Sequence, residues 1–222
     1  MVASALWHFL KNLTIPPNIK KIRFFTDACA SQNRKTTIVS VLQHFVAVCA
    51  PQLVVEHYFP VRGHSFLPPD RVFGRMEKVF RKETNLLLPS EYYDIYRDFG
   101  TVCILGKDWV LGDYKSRAKN IFKTNLGFKI SEVKAMRFEG NKIGIKTLYN
   151  GEFCWHNILK IAKRLSSFSV PTLELKCCVK PVKAEDVIKL LGAGGVDESK
   201  SDLKAFYESI KKLTLTCKAN TE

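Results

Sequence analysis

The first 26 residues contain neither Asp nor Glu, and the chain as a whole is short of acid. Its 21 Asp and Glu stand against 35 Lys and Arg, a formal charge of +14. That imbalance favours polyanionic partners, nucleic acid first, while specifying neither a sequence nor a reaction. The seven cysteines (Cys29, Cys49, Cys103, Cys154, Cys177, Cys178 and Cys217) are odd in number and scattered, and no C-x-x-C pair occurs among them. A zinc ribbon and a disulfide framework are therefore not indicated, and a reducing compartment fits better. No stretch approaches the ~20 apolar residues of a membrane span. The apolar patch from Ala5 to Leu10 is interrupted by His8 and lacks both a basic leader and a cleavage site, so it does not read as a signal peptide. There is no internal repeat, and Gly192 to Gly195 lacks the Lys-Ser/Thr that a phosphate-binding loop requires. The expectation is a soluble intracellular protein, nuclear, with the cytoplasm as the alternative.

What is present is enough apolar residue, 46% of 222 positions, to build one large domain or a domain with a satellite. Val2, Ala5, Leu6, Phe9, Leu10 and Leu13 recur at helical spacing, and Pro16-Pro17 ends that helix. Ile19 to Phe25 alternates as a strand. A helix over about Arg34 to Cys49, N-capped by Asn33, buries Ile38, Val41, Leu42, Phe45 and Cys49, and Leu53 to Tyr58 is a second strand. Strand, helix and strand make a βαβ unit, so the two strands are expected to be parallel with a right-handed crossover. Functional groups in such sheets gather beyond the carboxyl ends of the strands, where Asp27 and the Gly63-His64 turn fall. Pro69 and Asp70 suit the first turn of a further helix, and Pro89-Ser90-Glu91 starts another that stops at Gly100.

Beyond Gly100 the pattern predicts short strands at Thr101–Leu105, Trp109–Leu111, Phe128–Ile130, Ala135–Phe138, Lys142–Leu148 and Phe153–Ile158. Hairpin turns fall at Glu139-Gly140-Asn141 and Asn150-Gly151. Between Lys107 and Lys183 there are 16 Lys and Arg against 6 Asp and Glu, so this portion carries most of the excess charge. Leu173 to Val179 adds a strand, Lys183 to Leu191 a helix, and Leu203 to Leu213 a last helix beyond a linker at Gly192 to Lys200. The predicted architecture is α/β: a parallel-stranded core over 1–100, a small basic β-rich portion over 101–180 and a C-terminal helical segment over 181–222.

A carboxylate at a strand end, Asp27, followed one βαβ unit later by Asp70 or Glu77 on a helix, is an arrangement that two-metal phosphoryl-transfer sites use, because Mg²⁺ prefers hard oxygen ligands. A turn or capping role competes with that reading for each acid. Taken together, Phe24-Phe25-Thr26-Asp27-Ala28-Cys29-Ala30-Ser31-Gln32-Asn33, then Gly63-His64-Ser65 with Asp70 and Glu77, resembles a transposon-derived domain found in insects and other animals. That domain in turn is similar to the ribonuclease H-like core of transposases with a catalytic acidic triad. The resemblance covers Ile19 to Phe99 closely and Val182–Leu191 and Ala205–Ile210 more loosely. It implies that Asp27 matches the second acid and Asp70, or alternatively Glu77, the third, with Mg²⁺ or Mn²⁺ as the metal and Asp27 and Asp70 as its ligands. It further implies that Gln32 and Asn33 match the polar pair after the second acid, and that His64 orients a phosphate or assists proton transfer.

The departures from that family pattern are specific. The first acid of the triad belongs on an earlier strand, yet no acid precedes Asp27, and the antiparallel meander that opens a ribonuclease H-like core cannot be made from thirteen helical residues. The fold implied is thus a partial ribonuclease H-like core. The function implied is DNA binding with a degenerate acidic site, inactive by itself; an active nuclease completed by another chain and a non-catalytic interaction scaffold are the alternatives. Arg62, Lys160, Lys163 and Arg164, with Gln32 and Asn33, are the expected nucleic-acid contacts. Trp7, Trp109 and Trp155 could stack on bases or pack in the core. A truncated sheet would leave an unpaired edge, and hence a route to a homodimer.

Overall fold

The structure, a computed structural model, describes residues 1–29, 32–61, 63, 67–83, 86–160, 170–174, 179, 181–193 and 202–210. The chain divides into two compact units, Met1–Asp70 with Cys103–Leu173, and Arg71–Val102 with Glu174–Glu222. Both are mixed α and β or helical in composition, and the larger holds a mixed parallel and antiparallel sheet.

In the larger unit, helix α1 (Val2–Asn12) precedes strand β1 (Lys21–Phe25), helix α2 (Thr36–His44) and strand β2 (Val54–Tyr58). Strands β1 and β2 are parallel, as the long helical crossover over residues 26–53 demands, with Arg23 opposite Glu56 and Phe25 opposite Tyr58. Asn33 is not the N-cap expected of it. Lys35 holds that position without a side-chain bond, because the Asn33 amide turns back to the main-chain and side-chain oxygens of Asp27. The helix also ends differently, with Phe45–Cys49 forming a π-helical turn closed by the Ala50 N–H donating to the Phe45 carbonyl at 2.8 Å.

Strands β4 (Ala135–Glu139), β5 (Lys142–Lys146) and β6 (Cys154–His156) form the expected antiparallel hairpins, with Gly140 at φ +53° in the first turn. They continue the β1–β2 sheet rather than standing apart: β4 pairs antiparallel with β2, giving the order β1-β2-β4-β5-β6. A minor pair, β3 (Leu111–Gly112) with β7 (Thr172–Leu173), is all that forms of the strands expected at Trp109–Leu111 and from Leu173 onward, residues 175–178 lying outside the described residues. Thr101–Leu105 and Phe128–Ile130 are not strands. Leu105 makes one isolated bridge to Trp109, and Ile130 begins a short 3-10 turn. Helix α5 (Tyr114–Ile121) went unpredicted because only Tyr114, Ala118 and Ile121 mark its apolar side, beside a buried Arg117; Asp113 caps it by accepting from the Ser116 N–H at 3.0 Å.

One face of the sheet carries the core. Ile22, Phe24, Val55, Met136, Phe138, Ile143 and Ile145 alternate inward and join the buried side of α2 (Ile38, Val39, Val41, Leu42), which also packs against α1 and α5. Residues 38–43 of α2 are buried on every side, so its polar members need partners. The Gln43 amide donates to the Gly140 carbonyl at 2.6 Å, and Arg117 of α5 donates to the carbonyl and hydroxyl of Ser40 at 2.8 and 2.6 Å and reaches His44 Nδ1 at 2.9 Å. These contacts fix α2 between the hairpin turn and α5.

The helix α3 (Pro68–Phe80) begins in the larger unit and continues into the smaller one, where α4 (Pro89–Arg97), α6 (Pro181–Ala193) and α7 (202–210) lie. Within that smaller unit Glu91 accepts from the N–H groups of Leu87 and Leu88 at the start of α4, Phe80 meets the rings of Tyr92 and Tyr96, and Tyr207 donates to the Leu87 carbonyl. The expected linker falls largely on 194–200 and the end of the last helix on 211–213, both outside the described residues.

Candidate functional site

Asp27 stands just past the carboxyl end of β1, exposed, at the mouth of the turn that leads to α2. The Cys29 carbonyl gathers the turn: the N–H groups of Gln32, Asn33 and Arg34 all point at it, at 3.2, 2.9 and 3.2 Å. Asn33 closes it by donating to the Asp27 carboxylate. Gln32 is exposed and contributes its main chain to the turn. Of the polar pair that follows the acid in sequence, Asn33 therefore meets it, as an Asx-type closure of the turn, while Gln32 bonds to the Cys29 carbonyl.

The other acids serve helices. Asp70 accepts from the Leu67 N–H at 2.7 Å and caps the start of α3, and Glu77, exposed, pairs with Arg81 at 2.7 Å one turn on. Lys160 donates to the Lys119 carbonyl at 2.8 Å, near the end of α5. Arg62, His64, Lys163 and Arg164 lie outside the described residues. Among the described residues no group of three His, Cys, Asp or Glu converges as a metal site would need.

Behind Asp27 lies a histidine that the sequence reading passed over. His57, on β2, is 2% exposed, shares a hydrogen bond of 2.8 Å with Thr26 Oγ1, and packs its ring 4.3 Å from that of Phe59. Arg34 lies over the other side of this cluster, its guanidinium 4.9 Å from the Phe59 ring and its Nη1 donating to the Ser131 carbonyl. Burial, and then the positive charge of Arg34, push the His57 pKa down to about 4, so the ring is neutral at physiological pH.

The face of the sheet opposite the core is where the charge collects. Arg23, Glu56, Arg137, Gly144 and Trp155 occupy one continuous row across all five strands, with Phe25, Tyr58, Ala135 and Lys146 in the next row of that face. Glu56 is the pivot of the first row. Its carboxylate, 4% exposed, accepts from Arg23 Nε and the Tyr58 hydroxyl at 3.0 Å each, meets Lys21 Nζ at 3.3 Å, and has Arg137 Nη1 at 3.9 Å. Burial pushes its pKa up, but the hydrogen bonds from Arg23, Tyr58 and Lys21 outweigh that and hold it below the ordinary carboxylate value. Aromatic rings flank the charges. Phe25 stacks on Tyr58 at 5.3 Å, and Arg137 lies 5.9 and 6.0 Å from the rings of Phe153 and Trp155. Lys146 sits 4.6 Å over Phe153, which fits against Gly144, where a Cβ would come within 3.1 Å of it. The period-two alternation of cations and rings in Lys21-Ile22-Arg23-Phe24-Phe25 was the available signal for this face.

Sinking the proton balance of His57 has a measurable consequence. Its unfolded pKa is near 6.5 and its folded pKa about 4, so the folded state binds fewer protons between those values, and stability falls as pH drops through that window. The loss attributable to this ring is about 3 kcal/mol by pH 4 relative to pH 7. Urea unfolding of wild type and His57→Gln at the two pH values should show a steeper decline in the wild type; equal declines would mean that the ring titrates normally.

No protein-family model matches this chain, and no curated protein or solved structure matches it either.

Proposed function

We propose that the protein binds nucleic acid, DNA in the first place, and that its sheet is a transposase-derived core related to ribonuclease H whose acidic site does not amount to a working nuclease in this chain alone. The observation that carries the binding half is the open sheet face. Lys21, Arg23, Arg137, Lys142 and Lys146 project there, and the acids among them are Glu56, already surrounded by cations, and Glu139, which pairs with Arg137 at 3.2 Å. A phosphate backbone laid on this face would gain from several cations at the cost of little like-charge repulsion. The transposase half is supported by the parallel β1–β2 pair with Asp27 at its carboxyl end, next to Asn33. Nuclear localisation follows from the ligand class in this reading.

The described carboxylates do not fit a two-ion centre as they stand. Asp27 is engaged by Asn33, Asp70 caps α3 and Glu77 pairs with Arg81, so no cleavage step is assigned to Mg²⁺ or Mn²⁺. In this proposal such an ion is held weakly, by Asp27 or Asp70 alone. The outer edge of β1, which has β2 as its one partner among the described strands, is the route by which two copies would pair.

Binding to a duplex through about five phosphate contacts should weaken with salt at a log–log slope near −4.5, and Lys142→Ala with Lys146→Ala together should flatten that slope by about 2. Fluorescence anisotropy across a salt series reads both, and a duplex that shows no affinity at low salt would remove the proposal. Calorimetric titration with Mn²⁺ is expected to give weak binding that Asp27→Asn reduces, without nicking of supercoiled DNA; nicking that Asp27→Asn abolishes would instead make the chain an active nuclease. Sedimentation should show a concentration-dependent dimer that Arg23→Pro, which removes a donor from the edge strand, shifts to monomer. A monomer at all concentrations would exclude pairing through β1.

A further inference from the structure

We infer that the open face of the five-stranded sheet is a platform for single-stranded nucleic acid, with bases stacked on exposed rings at its two sides and phosphates held by the cations between them. This rests on the nucleic-acid reading above and names the form of the ligand. The argument starts from exposure. Phe25, at the β1 side, is 55% exposed and Trp155, at the β6 side, is 47% exposed, although both lie within a regular sheet whose other face buries the apolar residues of β2, β4 and β5 almost completely. Burying such rings against the protein's own helices is the usual outcome, and here the helical layer is on the opposite side.

The chemistry between the two rings is matched to a strand with free bases. Four strand spacings of about 4.8 Å separate β1 from β6, a span of roughly 19 Å. Across it run Arg23, Arg137 and Lys146, interleaved with the rings of Tyr58 and Phe153. Single-strand sites combine this pair of features, a basic track and aromatic faces, because every base offers a π surface whatever its identity. A duplex keeps its bases stacked on one another, so its contact with this face would be confined to phosphates. An acidic peptide would satisfy the cations and leave the exposed surfaces of Trp155 and Phe25 uncovered.

Glu56 is the positioning residue of this platform. Its carboxylate lies beneath the row, holding Arg23 and Tyr58 at 3.0 Å and Lys21 at 3.3 Å, so these groups are set in place before any ligand arrives. The residual charge of the face stays positive, because five cations share two carboxylates. Gly144 serves the same end from below: it leaves room for the Phe153 ring that lies beside Arg137 and Lys146.

The test uses the full chain and three probes: a labelled thymidine strand of about twelve nucleotides, within the usual single-strand site size, a duplex of equal length, and an oligoglutamate. The strand is expected to bind more tightly than the duplex at equal salt. Trp155→Ala should weaken the strand about ten- to a hundred-fold and leave the duplex within about two-fold, whereas Trp155→Phe, which keeps a ring, retains most of the affinity. Phe25→Ala should act in the same direction, and unchanged melting temperatures confirm that these exposed positions have not cost the fold. Equal affinity for strand and duplex with no effect of either ring would overturn the platform and leave salt-dependent nucleic-acid binding intact. Displacement of the strand by oligoglutamate at equal charge concentration would overturn base stacking in favour of an acidic partner. Binding of none of the probes would remove both this inference and the reading on which it rests.

Discussion

The carboxylate of Glu56 is the constraint around which the sheet is arranged. It sits on β2, between a parallel neighbour and an antiparallel one, and it is reached from β1 by Arg23 and Lys21 and from β4 by Arg137. A nearly buried charge is expensive to desolvate and is tolerated when its partners have the right geometry. Here those partners come from both flanking strands, so the pairing also specifies register. Sliding β1 or β4 by one residue would turn its cation toward the core and replace it with an apolar side chain on the open face. The carboxylate thereby couples two strand pairings that are far apart in sequence, and its Tyr58 contact carries the same influence to the ring stacked against Phe25.

The buried face solves a different problem. Helix α2 is enclosed on all sides over residues 38–43, and an enclosed helix has little use for polar side chains unless they are spent on its neighbours. Ser40 and Gln43 are spent that way, on Arg117 and on the Gly140 carbonyl. Arg117 is itself 2% exposed, burial lowers its pKa, and it meets the hydroxyl and carbonyl of Ser40 and the ring of His44. Neutral acceptors on α2 thus share in satisfying a buried guanidinium.

Much of this architecture was legible in the sequence where local signals and packing agree. The βαβ unit, the Gly140 hairpin and the helices at Pro68 and Pro89 follow from periodicity, turn residues and prolines that the tertiary structure has no reason to override. What could not be read was long-range. Strands β4 to β6 carry the alternation of an independent antiparallel layer, and nothing local to them states that β4 will pair with β2. Helix α5 is marked by three apolar residues and an arginine whose partners are 73 to 77 positions away, so its pattern looks like solvated chain. Asp27 and Asn33 meet although Asn33 was expected to cap α2, whereas Asp70 and Glu77 are occupied with their own helix, a local use that a motif cannot distinguish from metal binding. Glu56 and His57, adjacent in sequence and aimed at opposite faces, were invisible as a pair because each depends on neighbours from other strands.

The strand order has a consequence for the order of events during synthesis. Once β1, α2 and β2 have left the ribosome they can form a two-stranded unit, but the far edge of β2 waits for β4, whose Ala135 pairs with Tyr58 only 77 positions later. At ~5–20 residues per second that is a delay of about 4–15 seconds, during which both edges of the nascent pair present unpaired amides and the underside of the sheet is without Met136 and Phe138. Glu56 would spend the same interval with only the β1 side of its cation shell.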